Sequence, residues 1–214
     1  DRTPTILEAA EVEYQGEYEM TGSSLIEMLR SEEQGILEAS RDAVYAGRER
    51  HSSSRWNNLG YPQRSIRTHQ YLYIRNFTPE RWPAGSPRRI EDGKLTPMHS
   101  AYHDIDAAPT LDVMTQQADD PYFNRYLHLA VGKRPAEELY FIKKDPGCIN
   151  NLALNPDYEE ITQKLRNRLS DKLEETGDPL ASNNLEIWES YPRLRGQMRE
   201  FPVPVWAYPQ KTLE

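Results

Sequence analysis

From Pro156 to Glu175 the chain repeats its apolar side chains at helical spacing, with Tyr158, Ile161, Leu165, Leu169 and Leu173 three or four residues apart. A single stripe of that kind needs a flat apolar partner, so the fold has to supply a sheet for the helix to cover. Both ends of the helix are marked. Asn155 caps it, Pro156 takes the first position, and Asp157, Glu159 and Glu160 place negative charge at its positive end. Gly177 with Pro179 stops it.

The strands for that sheet can be found upstream. Arg64 to Thr68 and Gln70 to Asn76 form a β-hairpin about Thr68 and His69, whose second strand puts Leu72 and Ile74 on one face and Tyr71, Tyr73 and Arg75 on the other. Ala43 to Gly47 reads as a brief buried strand with a glycine stop, and Glu138 to Ile142 as another, ended by Lys143-Lys144-Asp145-Pro146-Gly147. Short helices are expected over Leu111–Gln117 and Tyr122–Val131. At the start, Thr3 reads as a cap with Pro4 opening a helix at once, and Ser23 to Leu29 gathers Leu25, Ile26 and Leu29 on one face. Phe77 to Thr96 is rich in prolines and turns, too irregular for core, and Arg48 to Gly60 reads as an exposed loop. From Ser182 the chain becomes a tail with Pro192, Pro202, Pro204 and Pro209, draped over the body.

Charge singles out one region. Arg41 to Arg89 holds ten arginines and no lysine against Asp42, Glu49 and Glu80, a balance of +7 in a chain of net charge −8, which leaves −15 elsewhere. Guanidinium forks match carboxylate, phosphate or sulfate oxygens two at a time, and His51 and Trp56 are interleaved with them. Two readings stay open on charge alone: recognition of an anionic group, or arginines paired to the acid-rich remainder of the fold. The overall acidity argues against nonspecific nucleic-acid binding. No apolar run approaches the roughly 20 residues that span a bilayer, so no membrane partner is expected.

Other candidate sites are weaker. His99 and His103, with Asp104 and Asp106, invite a metal reading, but Pro97 and Pro109 flank them and no third histidine or cysteine stands at ligand spacing. Cys148, the one cysteine, excludes a disulfide framework and lies in a Pro-Gly turn rather than a base-assisted, electropositive setting. Phosphate-cradling glycine loops and serine-nucleophile elbows are not found. An opening on a helix cap, without Met or a leader, suggests a chain cut from something longer.

Several segments in order resemble the sulfatase family. Asp1 to Ala10 is similar to a helix late in that family's large domain, and Met20-Thr21-Gly22-Ser23-Ser24-Leu25 to the step before its next helix. Gly47-Arg48-Glu49-Arg50-His51, Tyr61-Pro62 with Arg64 to Thr68, and Tyr71 to Asn76 resemble the C-terminal part of heparan N-sulfatase-like members, the sulfamidases and their bacterial relatives. So do Asp104-Ile105-Asp106 with Pro109-Thr110, Gly132 to Tyr140, and Lys144-Asp145-Pro146 with Asn150 to Ala153. The match runs over about residues 1 to 180.

The resemblance implies a partial α/β, alkaline-phosphatase-like sulfatase fold. Residues 1–47 would be the last helices and strand of the large domain. Residues 48–181 would be the C-terminal subdomain, an antiparallel sheet of about four strands with one long helix packed on it, and 182–214 a tail. It implies hydrolysis of sulfate from a sulfated glycan such as heparan sulfate, with Arg48, Glu49, Arg50, His51, Trp56 and Arg64 lining the substrate. Calcium and a formylglycine nucleophile would belong to the full-length enzyme's N-terminal catalytic domain, the partner this chain lacks. That nucleophile arises from a C/S-x-P-x-R motif, and Cys148 is followed by Ile149, Asn150 and Asn151 instead. No catalytic residue or metal ligand is therefore expected here. A periplasmic or extracellular location goes with the resemblance. The arginine-rich segment exceeds the mammalian sulfamidase pattern, which leaves N-sulfate and O-sulfate substrates both open. The alternative is a stand-alone binding module for anionic polysaccharide.

Overall fold

The computed structural model describes residues 1–49, 52–191 and 198–208. It divides into two compact units, Asp1–Asp42 and Ala43–Glu214.

The first unit has two helices, α1 (Arg2–Ala9) and α2 (Ile26–Arg30), and none of its residues is buried. The expected Thr3 cap is displaced to Asp1, which makes no side-chain cap bond. Thr5 is the tie instead: its hydroxyl donates to the Asp1 carbonyl at 2.5 Å and accepts the Leu25 amide at 2.9 Å. Arg41 closes the unit on Asp1 at 3.2 Å and on Glu38 at 2.6 Å. The segment expected over 23–29 is helical only from Ile26, since Ser24 spends its hydroxyl on the Ile26 amide.

The second unit is built on the sheet that the long helix requires. Strands β1 (Ala43–Arg48), β2 (Gln63–Thr68), β3 (Tyr71–Asn76) and β6 (Glu137–Phe141) pair antiparallel in the order β1-β2-β3-β6. The hairpin between β2 and β3 turns where expected, with the Thr68 hydroxyl accepting the Tyr71 amide at 3.0 Å. The first strand extends to Arg48 and forms the sheet's edge, with Val44 exposed rather than buried. It therefore lies in the same unit as the rest of the sheet, not with the helices before it.

Register aligns Tyr45, Ile66, Tyr73 and Leu139 in one row across the four strands. Helix α5 (Glu159–Glu175), entered through a 3-10 turn at Pro156–Tyr158, lays Leu165, Leu169 and Leu173 on that row. The tyrosine side of β3 is thus the covered side. Its polar ends are met: the Tyr73 hydroxyl donates to Glu137, which Arg166 of α5 grips at 2.5 and 2.6 Å. Asn155 accepts the Asp157 amide at 3.0 Å, as its capping role requires. At the other end Gly177 adopts φ +65°, a left-handed turn that glycine enters without cost, and aims Asp178 back toward the sheet.

A second, smaller core corrects the expectation for 77–96. Ala84 and Tyr102 are buried with Leu127 and Val131, and Trp82, Leu111 and Met114 pack around them. The prolines shape the backbone there without keeping it out of the interior. Helices α3 (Pro109–Gln116) and α4 (Pro121–Val131) supply the other wall, and a two-residue ribbon, β4 (Ile90–Glu91) with β5 (Lys94–Leu95), caps the excursion. The described tail does drape over this body. Short helix α6 (Ile187–Ser190) sends Glu189 to the Gly60 amide at 3.0 Å, Glu200 accepts the Ile90 amide at 2.8 Å, and Phe201 is buried.

Candidate functional site

The charged segment after β1 is not the open loop expected over 48–60. Ser54, Arg55, Asn58 and Gly60 are buried, and Trp56–Asn58 forms a 3-10 turn in which Asn57 and Asn58 take left-handed φ values of 50° and 59°. The cause is Arg55. Its guanidinium donates to the Trp82 and Pro83 carbonyls at 2.7 Å each and meets the Asp104 carboxylate at 2.7 Å. Buried backbone carbonyls of a turn-rich segment need donors, and a guanidinium supplies several in one plane.

Asp104 organises the neighbourhood. Its side chain has 0% exposure, and Arg48, 38% exposed, reaches the same carboxylate at 3.5 Å and the same Pro83 carbonyl at 2.8 Å. Burial alone would push the Asp104 carboxyl up, but the facing guanidiniums, Arg55 foremost, hold it below the ordinary aspartate value. Burial pulls the Arg55 value down while Asp104 supports the charge, and an arginine stays protonated in either case.

Arg64 lies on β2 opposite Gly47, where a β-carbon would stand 3.2 Å from its side chain, so the glycine gives it room to lie along the strand. It bonds Asp178 at 2.7 Å and Glu49 at 2.5 Å and is almost wholly covered. Burial opposes its charge, and the Asp178 and Glu49 carboxylates outweigh that opposition. Glu49 responds the other way: burial raises its carboxyl, and Arg64 offsets only part of the rise. Glu49 and Arg64 therefore form a strut under the segment.

Trp56 is half-buried, edge-to-face with Trp206 at 6.5 Å between ring centroids. The two indoles, with Trp82, Pro202 and Pro204, line a small, partly open slot. Of the six residues expected at a substrate surface, the structure thus brings Arg48, Glu49, Trp56 and Arg64 into one neighbourhood. Arg50 and His51 lie outside the described residues. Sequence reasoning missed Arg55 as an internal brace and Asp104 as its partner. Their one sequence signal was an aspartate beside His103 with no metal geometry to explain it.

Neither histidine joins a metal set. His99 bonds the Tyr102 hydroxyl at 2.8 Å and His103 packs on Phe201. Among the described residues no group of three or more histidine, cysteine, aspartate or glutamate side chains could hold a metal ion. The Cys148 thiol is pushed up by burial and by Asp145, the wrong direction for a nucleophile. Among the described residues the donor sets thus do not fit calcium, and Cys148 does not fit a formylglycine precursor. Among the described residues no helix is long and apolar enough to cross a membrane.

No protein-family model matches the chain. The ulvan-active sulfatase of Formosa agariphila is 26% identical over 187 residues, which cover 87% of this chain and 30% of that protein. The chain is similar to part of a sulfatase. It spans about 30% of the length of that curated relative. Among solved structures, a 2-O GAG sulfatase superposes with a TM-score of 0.48 at 22% identity, over 85% of this chain and 26% of that one. A protein solved in complex with its substrate D-glucosamine-2-N,6-O-disulfate does so with a TM-score of 0.46 at 19% identity, over 85% of this chain and 24% of that one. Over the sulfatase-like chain the observed four-stranded antiparallel sheet with one long helix across it is the arrangement that the sequence resemblance implied.

Proposed function

We propose that this chain is the C-terminal portion of a sulfatase-type hydrolase, sulfamidase-like, that removes sulfate from a sulfated glycan such as heparan sulfate. The similarity to a sulfatase along 187 residues is the observation that carries the reading. By this reading Arg48, Arg50, His51 and Trp56 meet the sugar, while Glu49 and Arg64 hold the segment from beneath. The chemistry suits it. Arg48 keeps part of its side chain exposed, and two arginines sharing one carboxylate leave a net positive charge where a sulfate or uronate would dock. The nucleophile and the calcium ligands would lie upstream in the missing catalytic domain, and export to the periplasm or beyond goes with a polymeric glycan substrate.

The test pairs a gene with an assay. The reading frame upstream of Asp1 should run some hundreds of residues through a C/S-x-P-x-R motif. Its full-length product should release sulfate from heparan sulfate or ulvan fragments, and the 214-residue chain alone should release none. Glycan binding by a protein whose gene begins near Asp1 would replace this reading with a stand-alone binding module. Calcium-dependent sulfate release by the 214-residue chain would overturn the division of labour.

A further inference from the structure

We propose that the cleft bounded by β3, β6, helix α5 and the turn at Asn183 is a further anion site, built around Arg75 for the sulfate ester of a sugar. The sulfate rests on the cleft alone; that a sugar carries it rests on the sulfatase reading above.

Two residues along each strand from the apolar row, and so on the same face, register lines up Gly47, Arg64, Arg75 and Glu137. Arg64 and Arg75 stand side by side on β2 and β3, and like charges directly opposite destabilise a sheet unless each finds a partner. Two of the row's three charges do. Arg64 is taken by Asp178 and Glu49. Glu137 is taken by Nε and Nη2 of Arg166 and by the Tyr73 hydroxyl. Arg75 is the charge left over. It lies near enough to Glu137 to help hold that carboxyl below its ordinary value, yet it makes no ion pair among the described residues.

Arg75 is nonetheless held in place. Its guanidinium carbon lies 4.4 Å from the centre of the Phe77 ring, and Nη2 donates to Asn183 Oδ1 at 3.2 Å. A guanidinium donates in its plane, so the ring orients it without using up a donor. It opens onto a cleft of about 550 Å³, lined also by Arg166, Asn167, Ser170 and Leu185 and within the range of roughly 300–1,000 Å³ usual for small-ligand sites. None of these residues belongs to the Arg48–Trp56 segment.

The polar groups left to the cleft are donors. Asn167 and Asn183 have each committed the side-chain oxygen, to Gln163 and to Arg75, which leaves their amide nitrogens. The Ser170 hydroxyl has no partner among the described residues. Glu137, the carboxylate of the lining, is already shared between Arg166 and Tyr73, so two guanidiniums face one neutralised acid. The fork of Arg75 by itself matches the two oxygens of a carboxylate. A sulfate ester brings a third oxygen, and the hydroxyl and amides beside Arg75 are donors for it. Pro79 and Leu185 add apolar surface against which the C–H face of a sugar ring can pack.

The test is an NMR titration of the 214-residue chain that reads the Arg75 Nε–H and the side-chain amides of Asn167 and Asn183. Glucose 6-sulfate should shift all three along one saturable curve, at least threefold tighter than inorganic sulfate or glucuronate, and glucose should shift none. Arg75→Gln should weaken glucose 6-sulfate at least tenfold. Arg75→Lys, which keeps the charge but not the fork, should weaken it at least threefold. Unchanged affinity in either variant would overturn the proposal. If Arg75→Gln does not fold, Ser170→Ala serves, because alanine is the better helix former. It should lose threefold or more in affinity without a fall in melting temperature, and full affinity there would also overturn the site. Equal binding of inorganic sulfate would overturn the sugar, and equal binding of glucuronate the sulfate ester. No shift with any of these probes overturns the site whatever a full-length protein hydrolyses, so the sulfatase reading stands or falls separately.

Discussion

Asp104 and Glu137, like the more exposed Glu38 and Asp145, are carboxylates whose surroundings favour their charged forms. Arg55 and its neighbours hold the first below the ordinary value against the effect of burial; the hydrogen bonds from Arg166 do the same for the second, with Tyr73 adding to them. A carboxyl depressed in the folded state contributes stability that is complete above its unfolded value, about 4, and is lost as pH falls through the folded value. The protein should therefore lose stability steadily on acidification below about pH 4, read as the urea midpoint at a series of pH values. The fall should be shallower in Asp104→Asn and in Glu137→Gln, and equal slopes in all three proteins would contradict the pairing. The arginine cluster was visible in the sequence, but the identity of each partner was not. Which of ten guanidiniums is a brace depends on acids far along the chain, such as Asp104 for Arg55 and Asp178, 114 residues away, for Arg64.

Elements were more legible where a period or a cap wrote them. The stripe on α5 told its face in advance, and Leu165, Leu169 and Leu173 are the residues that meet the sheet. Leu169→Ala should cost about 2–5 kcal/mol in chemical denaturation, since the row Tyr45-Ile66-Tyr73-Leu139 beneath it is a rigid sheet that cannot collapse into the space. The same substitution at exposed Leu154, in the turn before the helix, should stay within about 0.5 kcal/mol. Loss of less than about 1 kcal/mol at Leu169 would mean that the helix does not depend on this face. The segment 77–96 was illegible for a physical reason: proline content reports backbone irregularity, whereas burial of Trp82 and Ala84 depends on α3 and α4 arriving from later in the chain. The 48–60 segment was misread likewise, because arginine and serine read as solvent-facing until a buried carboxylate is known to be waiting for them.

At the scale of the molecule the two units differ in kind. The second encloses two apolar cores, while the first buries nothing and leaves Ile6 66% and Leu29 71% exposed. Each large apolar side chain so exposed forgoes about 1.5–3 kcal/mol of burial. In the 214-residue chain, residues 1–40 should exchange their amide hydrogens close to the rate of an open chain, while β2, β3 and α5 remain protected to near the global limit. In a full-length protein with a catalytic domain upstream, the same residues should become protected. Strong protection of 1–40 in the short chain as a monomer would contradict this account of the unit.

Local signals in the chain were enough for the long helix with its cap and stop, the hairpin, the strand 137–141 to within a residue at either end, and the presence of an arginine-rich segment. Each of these rests on neighbours within a few residues, where periodicity, capping and turn chemistry act. Long-range packing was needed to show that the tyrosine side of β3 is the covered one, that Arg55 and Arg64 are internal braces, and that Asp104 joins Arg48 to Ser52. Those outcomes are set by groups brought together from distant parts of the chain. A charge has no local signature that tells whether its counter-charge will be solvent, substrate or a carboxylate folded in from fifty residues away.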